Sequence, residues 1–290
     1  MPFATIDINI DPVAFHLGGF AVRWYGIMYV VGIVIGAQLA KRFVRRLGAS
    51  EDDLWSVFPW AVVFGLIGGR LYYVVQNDQM YFLHHPLQIF AVWNGGMAFF
   101  GAIAAVALTI AAFAWRRGLA IWPMLDVAAL FAAFGQPFGR IGNIVNGDIL
   151  GYATHLPWGT AYLNPGSFAP ELGVAYQPAA AYEILANLVL IAALVLVVRR
   201  GTMPGRVTAA YLAGYSITQF VVFFWRANSI TALDLKQAQL TAVVTFAASL
   251  ALWWWLARRY RGVSRGPLAP AGQADGPAPE GRVPDAPVEG

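Results

Sequence analysis

Residues 179–200 read AAAYEILANLVLIAALVLVVRR. A nearly unbroken apolar run, interrupted by Glu183 and Asn187, ends at Arg199 and Arg200. About 20 apolar residues at a 1.5 Å rise are what a helix needs to cross the hydrocarbon core of a bilayer. A basic pair just beyond the run marks its cytoplasmic end. The stretch therefore reads as a membrane span. Working outward from it, the same reading gives further spans at about 20–40, 55–76, 97–115, 121–140, 207–226 and 238–257. A shorter apolar segment, 81–93, contains Pro86 and is too short to cross; it is expected at the interface or folded back on the bundle.

The composition agrees. Hydrophobic residues make up 59% of the 290 residues and charged residues only 12%, where a soluble domain carries about a quarter charged. There is no cysteine, which excludes disulfides, thiolate metal sites and a cysteine nucleophile. Any thiol in the chemistry must come with the substrate. The net charge of +4 does not point to nucleic acid, because the basic residues sit beside spans, where topology accounts for them. Residues 1–19 hold no Lys or Arg, so the first apolar run, from about Phe20, is expected to be a retained span and not a cleaved signal.

The basic residues set the orientation. Of 19, 14 fall in clusters at Lys41 to Arg46, Arg116 and Arg117, Arg199 and Arg200, Arg206, and Arg258 to Arg282. With seven spans all of these share one face, which the positive-inside rule makes cytoplasmic. The expected fold is an all-α polytopic membrane protein of about seven transmembrane helices, N-terminus outside and C-terminus cytoplasmic. Its transmembrane domain covers 1–262, with outer loops 77–96, 141–178 and 227–237. Residues 263–290, rich in Pro, Gly and Ala, are expected to form a disordered cytoplasmic tail. Lys236 is the one basic residue of the outer loops. The remaining four, Arg23, Arg70, Arg140 and Arg226, lie within or at the outer ends of spans. Each alone can be read as snorkelling. Together they suggest an anionic ligand, such as a lipid phosphate, near the outer leaflet.

The stretch expected to carry chemistry is Gly139-Arg140-Ile141-Gly142-Asn143-Ile144-Val145-Asn146-Gly147-Asp148-Ile149-Leu150-Gly151. Glycines let a ligand approach the backbone, Asn both donates and accepts, and Arg offers a planar fork for phosphate oxygens. An ordinary polar turn after a helix is the plainer reading. Asp126, near the cytoplasmic start of the fourth span, reads as helix N-terminal stabilisation. Glu183, one turn into the fifth span, needs a partner at membrane depth, and an outer arginine is the expected one. His16, His84, His85 and His155 read as interfacial, and Trp253-Trp254-Trp255 as an aromatic belt.

The Arg140 stretch resembles the signature of the prolipoprotein diacylglyceryl transferase family. So do Arg23-Trp24-Tyr25-Gly26, Gly68-Gly69-Arg70, Trp93-Asn94-Gly95-Gly96-Met97, Pro178 with Tyr182 and Glu183, and Gly214-Tyr215 with Arg226, in the family's order over roughly residues 10–260. The resemblance implies transfer of the diacylglyceryl group of phosphatidylglycerol to the lipobox cysteine of a prolipoprotein signal peptide, with release of glycerol phosphate. It implies a bacterial plasma (inner) membrane, contact with membrane lipids, no nucleic acid, and no metal or organic cofactor. It assigns Arg140, Asn143, Tyr25 and Asp148 to catalysis. It assigns Arg140, Asn146, Gly151, Arg226, Arg70, Glu183 and Tyr182 to binding phosphatidylglycerol.

The sequence departs from the family pattern where Phe100 stands for a histidine, Asn94 for an acid, Asp148 for a glutamate, Gln177 for a histidine, Gln219 for an arginine and Phe223 for a glutamate. Titratable groups are lost while the Arg140 stretch persists. Tyr25, Asp148 and Glu183 are then the candidate proton acceptors. The alternative to the transferase is a relative that binds anionic phospholipid with altered or absent transfer, or that uses another acceptor. A channel or transporter is disfavoured, because no polar path crosses the bundle.

Overall fold

The computed structural model describes residues 5–76, 79–91, 99–201 and 203–260. Its long helices are α1 (Trp24–Lys41), α3 (Glu51–Gln76), α5 (Phe99–Arg117), α6 (Ile121–Asn146), α7 (Ala179–Arg199), α8 (Arg206–Val222) and α9 (Gln237–Arg259). Two short ones, α2 (Val44–Leu47) and α4 (Gln79–His84), lie between them. Among the described residues five helices, α1, α3, α6, α7 and α9, are long and apolar enough to cross a membrane. Large apolar side chains such as Leu108, Val189 and Val244 point outward at 70%, 71% and 69% exposure. Such a surface is stable facing lipid and costly facing water. The chain is a polytopic, mostly helical membrane protein.

Helix α6 is the centre, packed on α1, α7 and α8, while α3 pairs with α5 and α8 with α9. Without a strong hydrophobic force between helices in lipid, small residues let backbones touch. A Cβ on Gly32 of α1 would stand 2.8 Å from the Gly135 carbonyl of α6. Likewise, a Cβ on Gly68 of α3 would meet the Gly101 carbonyl of α5 at 2.6 Å. One end of the bundle gathers the basic clusters. There Lys41 and Arg45 pair with Glu51 at the start of α3, and Arg117 pairs with Asp53. Ser50 caps α3 by accepting from the Asp52 amide at 3.1 Å.

At the same end Asp126, fully buried, accepts from the Gly205 and Thr208 amides and the Thr208 hydroxyl at 2.7–2.8 Å. The sequence suggested that Asp126 stabilises the start of its own helix. It caps α8 instead, because the tight turn at Gly205 (φ +85°) delivers those amides to it.

The opposite end departs from an all-helical expectation. Strand β1 (Ile6–Ile8) pairs in parallel with β4 (Thr160–Tyr162), which pairs with β5 (Ala175–Tyr176). Two hairpins, β2 (Val13–Leu17) with β3 (Phe20–Arg23) and β6 (Ile230–Ala232) with β7 (Leu235–Lys236), flank them. The first span was expected from Phe20, but Phe20–Arg23 is a strand and the helix starts at Trp24. The outer segment expected from residue 141 begins later, since α6 runs helical to Asn146 and stops at Gly147 in the left-handed region (φ +76°). Helix α8 ends at Val222, so Arg226 lies in the turn beyond it. Trp93 to Met97, parts of loop 77–96 and the tail 263–290 lie outside the described residues.

Candidate functional site

The Arg140 stretch is a helix end, not a loop. Three residues apart on α6, Arg140, Asn143 and Asn146 share one face. Beside them runs α7, whose Glu183 is 3% exposed. Arg140 Nε lies 2.6 Å from Glu183 Oε2. Arg226 Nη1 donates to Glu183 Oε1 at 3.3 Å, and Gln219 Nε2 reaches Oε2 at 3.4 Å. Arg140 Nη1 in turn donates to Asn143 Oδ1 at 3.2 Å, and Asn143 Nδ2 donates to Asp148 Oδ1 at 2.9 Å. A continuous polar chain thus runs from Arg226 through Glu183, Arg140 and Asn143 to Asp148. A buried carboxylate holding two guanidiniums offsets a desolvation cost that neither cation could bear alone. Arg226 Nε is buried without a hydrogen-bond partner.

Segment 148–153 is stitched to both neighbours. Gly151 N donates to Gln177 O at 2.9 Å, Gln177 N to Tyr152 O at 3.0 Å and Tyr152 N to Trp225 O at 3.0 Å. A Cβ on Gly151 would collide with the Trp225 carbonyl and stand 2.8 Å from Gln177 Cβ. Gly151 was expected to admit a ligand. The close approach it permits here is that of the Arg226 turn, whose bridge partner it is.

Asp148 lines a half-open cavity of about 480 Å³. The walls come from Ile6 and Ile8 of β1, Trp158, Tyr162 of β4, and Tyr182 and Leu185 of α7. Tyr182 OH accepts from Trp158 Nε1 at 2.8 Å. Tyr162 donates to the Ile144 carbonyl at 2.8 Å. Burial pushes its phenol up to about 12; a hydrogen bond with Thr160 opposes the shift and the Asp148 charge adds to it. Tyr162 therefore stays a neutral donor near neutral pH. Tyr25 packs on this side of α6, its Cα 3.0 Å from where a Gly142 Cβ would stand and its ring 4.8 Å from Tyr29.

Arg70 is held elsewhere. Its Nε donates to Ile89 O at 2.8 Å and Nη2 to Gln88 O at 2.5 Å, with the guanidinium over the Tyr73 and Phe82 rings. These contacts pin segment 86–89, a 3₁₀ turn, to α3. His84 and His85 are exposed, each with Nδ1 against a carbonyl of α4. Phe100 falls in the first turn of α5.

Sequence reasoning passed over Lys236. It is 5% exposed, and its ammonium bonds the Phe223 carbonyl at 2.6 Å and the Arg226 carbonyl at 2.5 Å. It also passed over Gln136, which donates to Tyr211 OH at 2.7 Å, and Asn187, which donates to Ala133 O at 2.8 Å. The signal was present. Glu183 with Asn187, and Tyr211 with Tyr215 and Gln219, recur at four-residue intervals on apolar helices, which places each set on one face.

The family model described as prolipoprotein diacylglyceryl transferase matches residues 12–255. The chain is 34% identical over 239 residues to the phosphatidylglycerol–prolipoprotein diacylglyceryl transferase of Rhizobium leguminosarum, covering 78% of this chain and 81% of that protein. It is 35% identical over 266 residues to the protein of that name from Methylibium petroleiphilum (88% and 99%). With the Cereibacter sphaeroides protein of that name the figure is 37% over 242 residues (78% and 82%).

Proposed function

The chain belongs to the prolipoprotein diacylglyceryl transferase family, and from that premise we propose how its buried arginines work. The protein is a phosphatidylglycerol–prolipoprotein diacylglyceryl transferase. The acceptor is the cysteine thiol of the prolipoprotein lipobox. The observation that carries the mechanism is the convergence of Arg140 and Arg226 on Glu183.

The acceptor sulfur forms a bond to the terminal glyceryl carbon of the lipid as the carbon–oxygen bond to phosphate breaks. The electron pair leaves with glycerol phosphate, and the thiol proton is taken by a protein base. Negative charge grows on the phosphate as the bond breaks, so guanidiniums fixed beside it stabilise the transition state more than the bound lipid. Arg140 and Arg226 take that role, and Glu183 keeps them in place until the phosphate enters. Asn143 and Asn146 orient the headgroup, Tyr25 supplies a hydrogen bond near the reacting centre, and Tyr182 contacts the lipid from the cavity wall it shares with Asp148.

Among the three candidate bases, Asp148 fits best. Glu183 is engaged by Arg140, Arg226 and Gln219. Asp148 has one oxygen on Asn143 and lines the cavity. Helices α5 and α8 complete a set of seven spans. The basic end is cytoplasmic and the site faces the outer half of the bacterial inner membrane.

The test incubates purified protein with phosphatidylglycerol and a lipobox peptide. Glycerol phosphate release that requires both the peptide and Arg140 supports the reading. Lipid binding without release, unchanged in Arg140→Ala, would replace it with a lipid-binding relative that has lost transfer.

A further inference from the structure

Three buried polar atoms without a hydrogen-bond partner gather around one turn: Arg23 Nη1, Asn146 Oδ1 and Ser167 Oγ. Phe168 ties them together. Its ring lies 4.6 Å from the Arg23 guanidinium, its amide donates to the Asn146 carbonyl at 2.9 Å, and Ser167 precedes it in the chain. Ser167 Cβ also stands 3.1 Å from where a Cβ on Gly147 would be, next to Asn146. Asn146 is 5% exposed, yet its side-chain oxygen faces no donor. Arg23 has no carboxylate within ion-pair distance among the described residues. The nearby Asp11 accepts from the Val13 amide at 2.8 Å.

Native proteins rarely leave such atoms unpaired, because each lost bond costs the desolvation of the group. One orphan donates, one accepts and one hydroxyl does both. That is the complement of a vicinal diol, whose two hydroxyls each donate and accept. An ammonium headgroup offers donors only; it would leave the Arg23 N–H unpaired and set two cations side by side. The cluster also lies at the right place. Asn146 is six residues beyond Arg140 on α6, about 9 Å along the axis, so a phosphate at Arg140 would carry its glycerol toward the α6 terminus.

We infer that Arg23, Asn146 and Ser167 form a subsite for the terminal glycerol of the donor lipid and select a diol headgroup. This deepens, and rests on, the transferase reading above. Ser167 and Arg23 become specificity-determining residues, and Asn146 gains a stated role in accepting a headgroup hydroxyl.

The experiment compares phosphatidylglycerol with phosphatidylpropanol, which keeps the phosphodiester and loses the diol, as donors to a lipobox peptide. The wild type should favour phosphatidylglycerol in kcat/KM. Ser167→Ala, Asn146→Leu and Arg23→Leu should each shrink that ratio about tenfold, mainly by slowing the diol lipid. Ser167→Ala removes only a hydroxyl, so it stands if the larger changes unfold the protein. Equal use of both lipids by the wild type, or variants that lower both in parallel, would overturn the subsite and leave the orphans to ordered water. Should the wild type transfer from neither lipid, the transferase reading fails. Binding then decides the subsite: glycerol phosphate must bind more tightly than propyl phosphate, with the difference erased in Ser167→Ala. Equal binding sinks it.

Discussion

Arg140 and Arg226 take the two oxygens of a single carboxylate, Arg140 at 2.6 Å from Glu183 Oε2 and Arg226 at 3.3 Å from Oε1. One guanidinium comes from the end of α6 and the other from the turn after α8, so three parts of the fold meet at one point of charge. Removing either side of such a buried pair leaves an uncompensated charge, whereas the intact set is nearly neutral in its effect on stability.

Glu183→Gln should therefore cost more than a lost hydrogen bond. Two cations remain buried without their anion, and about 3–5 kcal/mol of stability is expected to go. Thermal unfolding in detergent measures it. An unchanged midpoint would show that the arginines find other partners. Addition of glycerol phosphate should raise the midpoint of Glu183→Gln more than that of the wild type, because a phosphate can stand where the carboxylate was.

Arg226→Lys keeps the charge and loses the fork. A lysine cannot hold two oxygens in one plane, and transfer should fall about 10²–10³-fold, the usual consequence of losing one donor to developing charge. The loss belongs mainly in kcat. A rise in KM alone would mean that Arg226 binds the lipid equally in ground and transition states.

Asp148→Asn tests the assigned base. Asparagine preserves an acceptor for Asn143 but cannot take a proton, so the rate should drop about 10²–10⁴-fold at neutral pH. The variant must then rely on acceptor that has already ionised. Its rate should climb with pH toward the free thiol value of about 8.5, tenfold per unit, while the wild type stays flatter. Parallel profiles would remove Asp148 from the proton path.

The sequence made the membrane class and the helix frame legible, because a run such as 179–198 can be satisfied in only one solvent. It placed Arg140, Arg226 and Glu183 at one level, and the structure joins them. It misjudged where irregular backbone begins. Gly139 and Gly142 suggested a loop, but they flatten a helix face against Tyr29 and Tyr25 of α1. It misassigned the helix that Asp126 caps, since a cap between distant segments leaves no local pattern. Lys236 stood only as the one basic residue of the outer loops. Only tertiary contact shows its ammonium turned inward onto carbonyls.

From that inward turn follows the prediction that Lys236 positions Arg226. The carbonyls after α8 point away from the helix and carry partial negative charge, and Lys236 binds two of them while Gln239 Nε2 takes the Phe220 carbonyl at 3.1 Å. Lys236→Met keeps the stem and removes both bonds. The Arg226 turn should loosen, with kcat down about tenfold from a misplaced guanidinium and about 1–3 kcal/mol of stability lost with the buried acceptors. A purely structural lysine would lower the midpoint and leave the kcat of the folded fraction intact. A positioning lysine lowers both, and pairing Lys236→Met with Arg226→Ala should then cost little more in kcat than Arg226→Ala alone, because the group that Lys236 holds is already gone.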